Sequence, residues 1–206
     1  MKSLGLSQDN FTFPFLFIAC WNLGEVRHGR AGHCSVVKVG LCGDYHVCHS
    51  MITMYSMCGE LDCARKVFDE MTERDSVSWN SMISGYGKMG RAGDAVGLFG
   101  EMREAGFEPN EMTLVSVLGA CGDIGDLGLG NWVEEFVAEK KLVLNSYLGS
   151  ALIGMYGKCG DLGSARRVFD SMKIKDRVTW NAMISGYVTL YCTLMFAVIL
   201  VGDQLQ

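Results

Sequence analysis

The sequence predicts an all-α fold in which helical hairpins follow one another and stack into an α-α superhelix, a right-handed solenoid. Three observations predict it. The stretch 52–71 recurs in closely similar form at 153–172. Apolar residues recur at i, i+3, i+4 and i+7, the spacing of one helix face. A glycine separates the two helical blocks of each copy. Such internal repeats are typical of arrays whose neighbours share one continuous core.

Composition places the chain among folded proteins that lack a generally basic surface. Of its 206 residues, 49% are hydrophobic and 20% are charged, which is too apolar for intrinsic disorder. The net charge of −5 argues against indiscriminate nucleic-acid binding, so any polyanion must bind locally. Nine cysteines without a Cys-x-x-Cys motif indicate free thiols in a reducing compartment. No signal or transit peptide is visible in residues 1–10.

The copies divide the chain into an N-terminal stub (1–9), a repeat array (10–187) and a divergent hydrophobic tail (188–206). Every complete repeat ends in Asp or Asn. We number the repeats 1 to 6 in chain order, and their bounds are 10–44, 45–75, 76–110, 111–145, 146–176 and the partial 177–187.

Each repeat is expected to contain two helices of about twelve residues, which would be marginal in isolation and need stacking for stability. The first helix carries the same apolar face in all six copies, for example Trp79, Met82, Ile83 and Tyr86 in repeat 3. Repeats 1 and 4 are interpreted as looser and degenerate. They carry glycine and a polar residue where the others have Ala and Phe, namely Gly29, His33, Gly130 and Glu134.

The segment after Tyr187 departs from the repeat pattern. Residues 188–201 form an apolar run with no turn glycine and no charged helix. Its length of about fourteen residues falls short of the roughly 20 that a membrane span needs, so no membrane partner is expected. We interpret 188–206 as an unrelated tail that replaces further repeats in a truncated product.

Several phrases of the sequence carry a family resemblance. They are SWNSMISGYGKMG at 78–90, TWNAMISGY at 179–187, ARKVFDEM at 64–71 and ARRVFDSM at 165–172. With repeat lengths of 35 and 31 residues, they closely resemble pentatricopeptide repeat (PPR) proteins. The order of loose, short and regular repeats resembles the plant PLS-type subclass. Tetratricopeptide repeats share the hairpin but have a uniform unit of about 34 residues.

This resemblance implies binding of single-stranded RNA, with one base read per repeat by the fifth and last residues. Asn80 with Asn110 implies a pyrimidine, and Ser150 with Asp176 implies guanine. Asn181 implies a further pyrimidine. The second residues of successive repeats would sandwich bases, and two lysines at the thirteenth position would contact phosphates: Val77, Met112, Tyr147, Val178, Lys88 and Lys158.

Other chemistry is weakly represented in the sequence. The spaced glycines of 85–90 lack the preceding strand that a dinucleotide site needs. Cysteines and histidines within 34–49 match no familiar zinc spacing. The His-x-Glu and Pro-Cys-x-x-Cys signature of a zinc deaminase is absent from the sequence. We therefore expect no catalytic residues, no metal and no cofactor.

The resemblance leads to a specific expectation of function. The chain is expected to be a non-enzymatic adaptor that binds organellar RNA in a chloroplast or mitochondrion. It would present a transcript to C-to-U editing or processing factors supplied in trans. Two alternatives stay open, a tetratricopeptide-like scaffold that binds proteins and a non-functional truncated product.

Overall fold

The structure is a computed structural model that describes residues 9–203, with side chains described up to residue 192. These residues form helices and no strand. They divide into two compact lobes, one ending at Pro109 and one beginning at Asn110. The N-terminal lobe contains α1 (Thr12–Leu23), α2 (Val26–Val39), α3 (Tyr45–Met57), α4 (Leu61–Glu70), α5 (Ser76–Lys88) and α6 (Ala92–Glu104). The C-terminal lobe contains α7 (Glu111–Ile124), α8 (Leu127–Glu139), α9 (Ser146–Lys158), α10 (Leu162–Ser171) and α11 (Arg177–Asp203).

Within each lobe the helices form two layers. The first helices of successive repeats pack side by side, α1 to α3 to α5 in one lobe and α7 to α9 to α11 in the other. Each second helix from α2 to α10 packs against the first helix of its own repeat, and α2, α4, α8 and α10 also pack against the first helix of the next repeat in the same lobe. The predicted stack of helical hairpins is therefore confirmed.

Each hairpin turns at the recurring glycine, as the sequence predicted. Gly90 follows the end of α5 with φ at 73°, a left-handed conformation that side chains other than glycine rarely adopt. Its backbone N–H donates to the Gly87 carbonyl and closes the last helical turn. Equivalent glycines in the other repeats also have φ between 69° and 82°: Gly24, Gly59, Gly125 and Gly160.

The predicted apolar face of the first helix forms the core in repeats 2 to 5. In repeat 1, Leu16 is 37% exposed although it belongs to that face. Repeat 6 departs more strongly, because Met183 is buried whereas Trp180 and Ile184 are about half exposed. The expectation that all six copies bury one shared face is therefore wrong for the sixth copy.

Repeats 1 and 4, which the sequence analysis interpreted as looser, are each matched to the repeat that follows. In the N-terminal lobe, a Cβ at Gly29 would lie 2.6 Å from Met54 Sδ. In the C-terminal lobe, a Cβ at Gly130 would likewise overlap Met155. Each methionine is buried and fills the space over a glycine backbone. The missing side chain thus makes room for a large one, since protein interiors are close-packed.

A polar contact accompanies each of these methionines. The Tyr55 hydroxyl lies 3.0 Å from His33 Nδ1. At the equivalent place, the Tyr156 hydroxyl donates to Glu134 Oε2 at 2.5 Å. The polar residue that replaces phenylalanine in repeats 1 and 4 therefore satisfies a buried tyrosine of the next repeat, as buried hydroxyls require.

At the following junctions a glycine of a first helix lies in close contact with the neighbouring repeat. At the junction of repeats 5 and 6, a Cβ at Gly157 would lie 2.9 Å from Gly186 Cα. At the junction of repeats 2 and 3, a Cβ at Gly85 would lie 2.6 Å from Ser56 Oγ. These two junctions therefore place a glycine of a first helix at the contact, whereas Gly29 and Gly130 belong to second helices.

The last helix crosses the boundary predicted between array and tail. It runs without interruption from Arg177 to Asp203, so 188–203 continue the first helix of repeat 6. Residues 1–8 and 204–206 lie outside the described residues, and they belong to the predicted stub and tail. Within 9–203 no helix combines the length and hydropathy needed to cross a membrane.

Candidate nucleic-acid interface

The last residue of each repeat is the N-cap of the helix that follows it. For example, Asp75 Oδ1 accepts a hydrogen bond from the Ser78 backbone N–H at 2.9 Å. The Ser78 hydroxyl oxygen in turn accepts one from the Asp75 backbone N–H. Such a cap satisfies one of the free N–H groups in the first helical turn. The same bond to the residue three positions later is made by Asp44, Asn110, Asn145 and Asp176.

Sequence analysis related these Asp and Asn residues to base reading and missed their capping role. The signal was available in Asp75-x-x-Ser78 and Asn110-x-x-Thr113, where a short polar residue precedes an apolar helix and another lies three positions later. Capping alone is sufficient reason for Asp or Asn at these positions. It also fixes one side-chain oxygen of each residue.

In repeats 1 and 4, the second polar atom of the cap side chain forms a hydrogen bond with the first residue of the same repeat. Asn10 Nδ2 donates to Asp44 Oδ2 at 3.1 Å, and these are the first and last residues of repeat 1. Asn145 Nδ2 donates to Glu111 Oε1 at 3.0 Å, and these are the last and first residues of repeat 4. One terminal side chain thus links the start of the next helix with the start of its own repeat.

In repeat 2 the fifth and last side chains meet directly. His49 Nε2–H donates to Asp75 Oδ1 at 3.0 Å. The rings of His46 and His49 both contact the Tyr45 ring, with centroids 3.9 Å and 5.6 Å away. Burial works to raise the pKa of Asp75, but its hydrogen bonds with Ser78 and the neighbouring His49 outweigh burial and lower that pKa. Asp75 is therefore a carboxylate at neutral pH.

The predicted pair of repeat 5 is arranged differently. The Ser150 hydroxyl donates to the Tyr147 carbonyl at 3.1 Å. Asp176 Oδ1 accepts from the backbone N–H of Thr179 at 2.9 Å and from its hydroxyl at 3.0 Å. The Thr179 backbone bond is the main cause of the lowered pKa of Asp176. Because the Ser150 proton is already used, its lone pairs face outward as acceptors.

The other predicted reading residues are distributed over both lobes. Asn80 lies half-buried on α5 in the N-terminal lobe. Asn110, its predicted partner, is an exposed N-cap of α7 in the C-terminal lobe. Asn181 is exposed on α11.

The predicted base-sandwiching residues are all exposed, although each is apolar or aromatic. Tyr147 is 74% exposed, and the others lie between 55% and 64%. Phe11 and His46 occupy the same second position and are also exposed. An exposed apolar or aromatic side chain at the second position of every repeat is a feature that the core does not explain. The predicted set is Val77, Met112, Tyr147 and Val178.

The two predicted phosphate ligands differ in their surroundings. Lys158 Nζ forms an ion pair with Asp123 Oδ1 at 2.6 Å. Lys88 Nζ lies 4.0 Å from Met57 Sδ. Asp123 and Met57 occupy the thirteenth position of the preceding repeats, so the side chains of this position contact one another within each lobe. Sequence analysis did not identify Asp123 as the partner of Lys158.

Chemically reactive groups outside this surface are few among the described residues. No group of three or more His, Cys, Asp and Glu side chains is placed to hold a metal ion in that part of the chain. Burial raises the pKa of the Cys48 thiol to about 11 and that of Cys121 to about 12. Both thiols are therefore protonated and poorly reactive at neutral pH.

Two family models match parts of the chain, and relatives match most of it. A model described as PPR repeat family matches residues 74–123. A second, described as PPR repeat, matches 46–76, 150–176 and 178–190. A pentatricopeptide repeat-containing protein of Arabidopsis thaliana is 42% identical over 188 residues, which cover 91% of this chain. Another from the same plant, named as chloroplastic/mitochondrial, is 44% identical over 186 residues and 89% of this chain.

Solved structures agree on the fold. A crystal structure of the pentatricopeptide repeat protein PPR10 in complex with an 18-nt psaJ RNA element matches with a TM-score of 0.76 and 20% identity. That match covers 92% of this chain and 29% of that chain. A crystal structure of the pentatricopeptide repeat protein PPR10 from maize matches with a TM-score of 0.66 and 23% identity, covering 89% of this chain and 27% of the other.

The matches cover most of this chain but only a minor part of each relative. The chain spans 22% and 29% of the two Arabidopsis relatives just described. Within this chain, by contrast, the matched segments include more than half of the residues and coincide with the capped helical hairpins. The chain therefore belongs to the pentatricopeptide repeat family.

Proposed function

We propose that this chain binds single-stranded RNA and reads individual bases with the fifth and last side chains of its repeats. The observation that carries this proposal is the hydrogen bond between His49 and Asp75, because it brings the fifth and last side chains of one repeat to the same place. A base edge at that place would meet both groups at once. The PPR10 complex with RNA, a protein of the same fold, supports RNA as the ligand.

The proposed base choice follows from hydrogen-bond polarity. Asn80 and Asn110 each offer both a donor and an acceptor, which suits a pyrimidine edge. Asp176 is an acceptor only and Ser150 presents acceptor lone pairs, so this pair suits the donor-rich edge of guanine. Asn181 would read a further pyrimidine. The exposed side chains of the second position, such as Tyr147, would stack on the bases between them.

Local cations rather than net charge would hold the RNA backbone. The chain carries a net charge of −5, so association depends on a few well-placed lysines. Lys88 and Lys158 lie at the same position of repeats 3 and 5 and would contact phosphates. The ion pair of Lys158 with Asp123 must then exchange for a phosphate contact.

The proposal extends to the cellular role. Relatives in Arabidopsis thaliana are named as chloroplastic or mitochondrial, which supports an organellar transcript as the target. The succession of loose, short and regular repeats supports membership of the PLS-type subclass. In this role the chain selects a site and presents it to a C-to-U editing or processing enzyme supplied in trans, without performing catalysis itself.

The test compares base preference with capping held constant. Asn110→Asp keeps the oxygen that caps α7 but replaces the amide donor with a second acceptor. Selection from a random pool of single-stranded RNA should therefore give a changed preference at one position and an unchanged preference elsewhere. Asn110→Ala is the matched control, because it also removes the cap and should cost about 1 kcal/mol of stability.

Two outcomes would contradict this function. If the wild-type chain selects no common base from the pool, the chain does not read RNA sequence. If Asn110→Asp changes total affinity while the preference at every position stays the same, Asn110 acts only as a cap. Thermal unfolding of each variant separates loss of binding from loss of structure.

A further inference from the structure

Trp180, Ile184 and Tyr187 form an exposed apolar stripe on one side of α11. The equivalent residues of repeat 3 are buried. In repeat 3 the second helix, α6, packs against α5. In repeat 6 the chain does not turn back after Tyr187, because α11 continues to Asp203. The exposed fraction of the equivalent residues changes accordingly, from 2%, 0% and 5% for Trp79, Ile83 and Tyr86 to 51%, 54% and 49% for Trp180, Ile184 and Tyr187.

The stripe continues along the helix beyond the repeat. Val188 and Tyr191 are 54% and 66% exposed and follow at i+8 and i+11 from Trp180. With Ile184 and Tyr187 they lie on one side of the helix. Exposed apolar patches of this kind mark interaction sites in soluble proteins.

The covered copy shows which side chains fit this face. In α6 the buried residues include Ala95, Leu98, Phe99 and Met102, spaced i, i+3, i+4 and i+7. The second helix of repeat 5, α10, buries residues with the same spacing and nearly the same chemistry: Ala165, Val168 and Phe169, followed by Met172. The face of α11 is therefore complementary to an amphipathic helix with this apolar pattern.

Arg166 lies beside the stripe and adds a charge to the features that a partner helix must match. In the N-terminal lobe, Arg65 Nε binds Asp69, and its Nη2 binds Glu101 of α6 at 3.0 Å. Arg166 lies at the equivalent place in repeat 5, and its Nε binds Asp170 at 2.9 Å in the same way. Asp170 and, more weakly, Tyr187 of the stripe raise the pKa of Arg166, which indicates that the guanidinium lies near the exposed stripe. Its side chain is 57% exposed, compared with 33% for Arg65.

We propose that α11 binds an amphipathic α-helix of a separate polypeptide, which completes the sixth hairpin in trans. The partner helix presents Ala, Leu or Val, Phe and Met at i, i+3, i+4 and i+7. It also carries a glutamate at i+6 that pairs with Arg166, as Glu101 pairs with Arg65. This binding is independent of RNA, because it uses the stripe of α11 and none of the proposed base-reading residues.

The test uses the full chain and a labelled peptide with the sequence of residues 91–107, which contains the covering helix. We expect saturable binding by fluorescence anisotropy, with a blue shift of tryptophan emission that Trp180→Phe abolishes. Ile184→Asp should weaken binding at least about tenfold, because it places a charge in the apolar contact. Ile174→Asp is the matched control, since Ile174 is an exposed loop residue outside the stripe, and it should leave binding unchanged.

A charge reversal gives the second arm of the test. Arg166→Glu should weaken binding of the wild-type peptide, and a peptide with Glu101→Arg should restore it. Circular dichroism verifies that each variant is folded. Absence of binding to the wild-type chain, or equal binding to Ile184→Asp, overturns the proposal. Self-association of the chain that Ile184→Asp abolishes would assign the face to a second copy and also overturn it.

Discussion

Met155 of repeat 5 occupies the space that a side chain at Gly130 of repeat 4 would need. A Cβ built at Gly130 would lie 2.5 Å from Met155 Sδ, closer than van der Waals contact allows. The same relationship joins Met54 to Gly29 in the N-terminal lobe. Because it occurs independently in both lobes, it defines a rule for which repeat fits after which.

The first prediction tests this fit by a double-mutant cycle. Gly130→Ala should destabilise the chain by about 1–3 kcal/mol, because the new methyl group is forced against a packed methionine. In a Met155→Ala background the same change should be neutral or stabilising by up to about 1 kcal/mol, since alanine favours helix over glycine. Urea denaturation measures both. Equal costs in the two backgrounds would show that Met155 and Gly130 are not coupled.

A matched control isolates the steric part of this effect. Gly119 lies within α7, and a Cβ there would meet no atom within 4 Å. Gly119→Ala should therefore stabilise the chain by up to about 1 kcal/mol. A loss of stability at Gly119 would mean that helix propensity alone does not describe these positions.

The second prediction concerns acid stability. Burial raises the pKa of Glu134, but hydrogen bonds from Arg167 and Tyr156 outweigh burial and lower it below the usual value. A lowered folded-state pKa gives stability that is present above the ordinary carboxyl pKa and lost as the pH falls through the folded value. Between about pH 6 and about pH 3, the wild type should therefore lose more unfolding free energy than Glu134→Gln.

Glu135→Gln is the control for this titration, because Glu135 is an exposed neighbour with the same charge. Its unfolding free energy should follow the wild-type dependence on pH. Urea midpoints across the pH range compare the three proteins. A Glu134→Gln profile that parallels the wild type would exclude Glu134 as a source of acid sensitivity.

The third prediction tests stacking on the exposed second-position residues. Tyr147→Ala should weaken RNA binding by about 1–3 kcal/mol, the usual range for loss of one base–aromatic stack. Tyr147→Phe should retain most of the affinity, because the ring remains. Tyr191→Ala removes another exposed tyrosine and should have no effect on RNA. A gel-shift titration giving equal losses for Tyr147→Ala and Tyr191→Ala would contradict a specific role.

The fourth prediction concerns the ion pair at the thirteenth position. Asp123→Asn releases Lys158 from its 2.6 Å contact and should strengthen RNA binding by about two- to fivefold, the scale of one exposed ion pair. The salt dependence of affinity should stay the same, because Lys158 neutralises one phosphate in both proteins. Asp62→Asn makes the same change of net charge on α4. An equal gain from Asp62→Asn would attribute the effect to overall charge.

The sequence predicted the hairpins well because their signals are local. Glycines such as Gly90 and Gly160 end one helix and begin the next, and the i, i+3, i+4, i+7 stripes identify the buried faces. The predicted reading residues stay predictions, but Asp75 and Asn110, identified as the last residues of their repeats, are the N-caps of the helices that follow. Their capping role was missed because repeats were compared by position and not by the bonds that each helix start needs.

The sequence analysis did not predict the contacts between helices of different repeats. From the sequence, Gly29 and Glu134 were interpreted as departures from the repeat pattern, because their partners Met54 and Tyr156 lie in the next repeat. Likewise, Trp180 matches Trp79 residue for residue, yet only one of them is covered.

By itself, the amino-acid sequence determined the number, length and turning points of the hairpins through residue 187 and the family to which they belong. These features depend on hydrogen bonds and apolar periodicity within about 35 residues. Only the tertiary structure decided whether each predicted apolar face is covered, which cations are already paired and which apolar surface stays open. The physical reason is that burial and pairing depend on the neighbouring helix, and a repeated sequence motif specifies its own helix but not whether a neighbour is present.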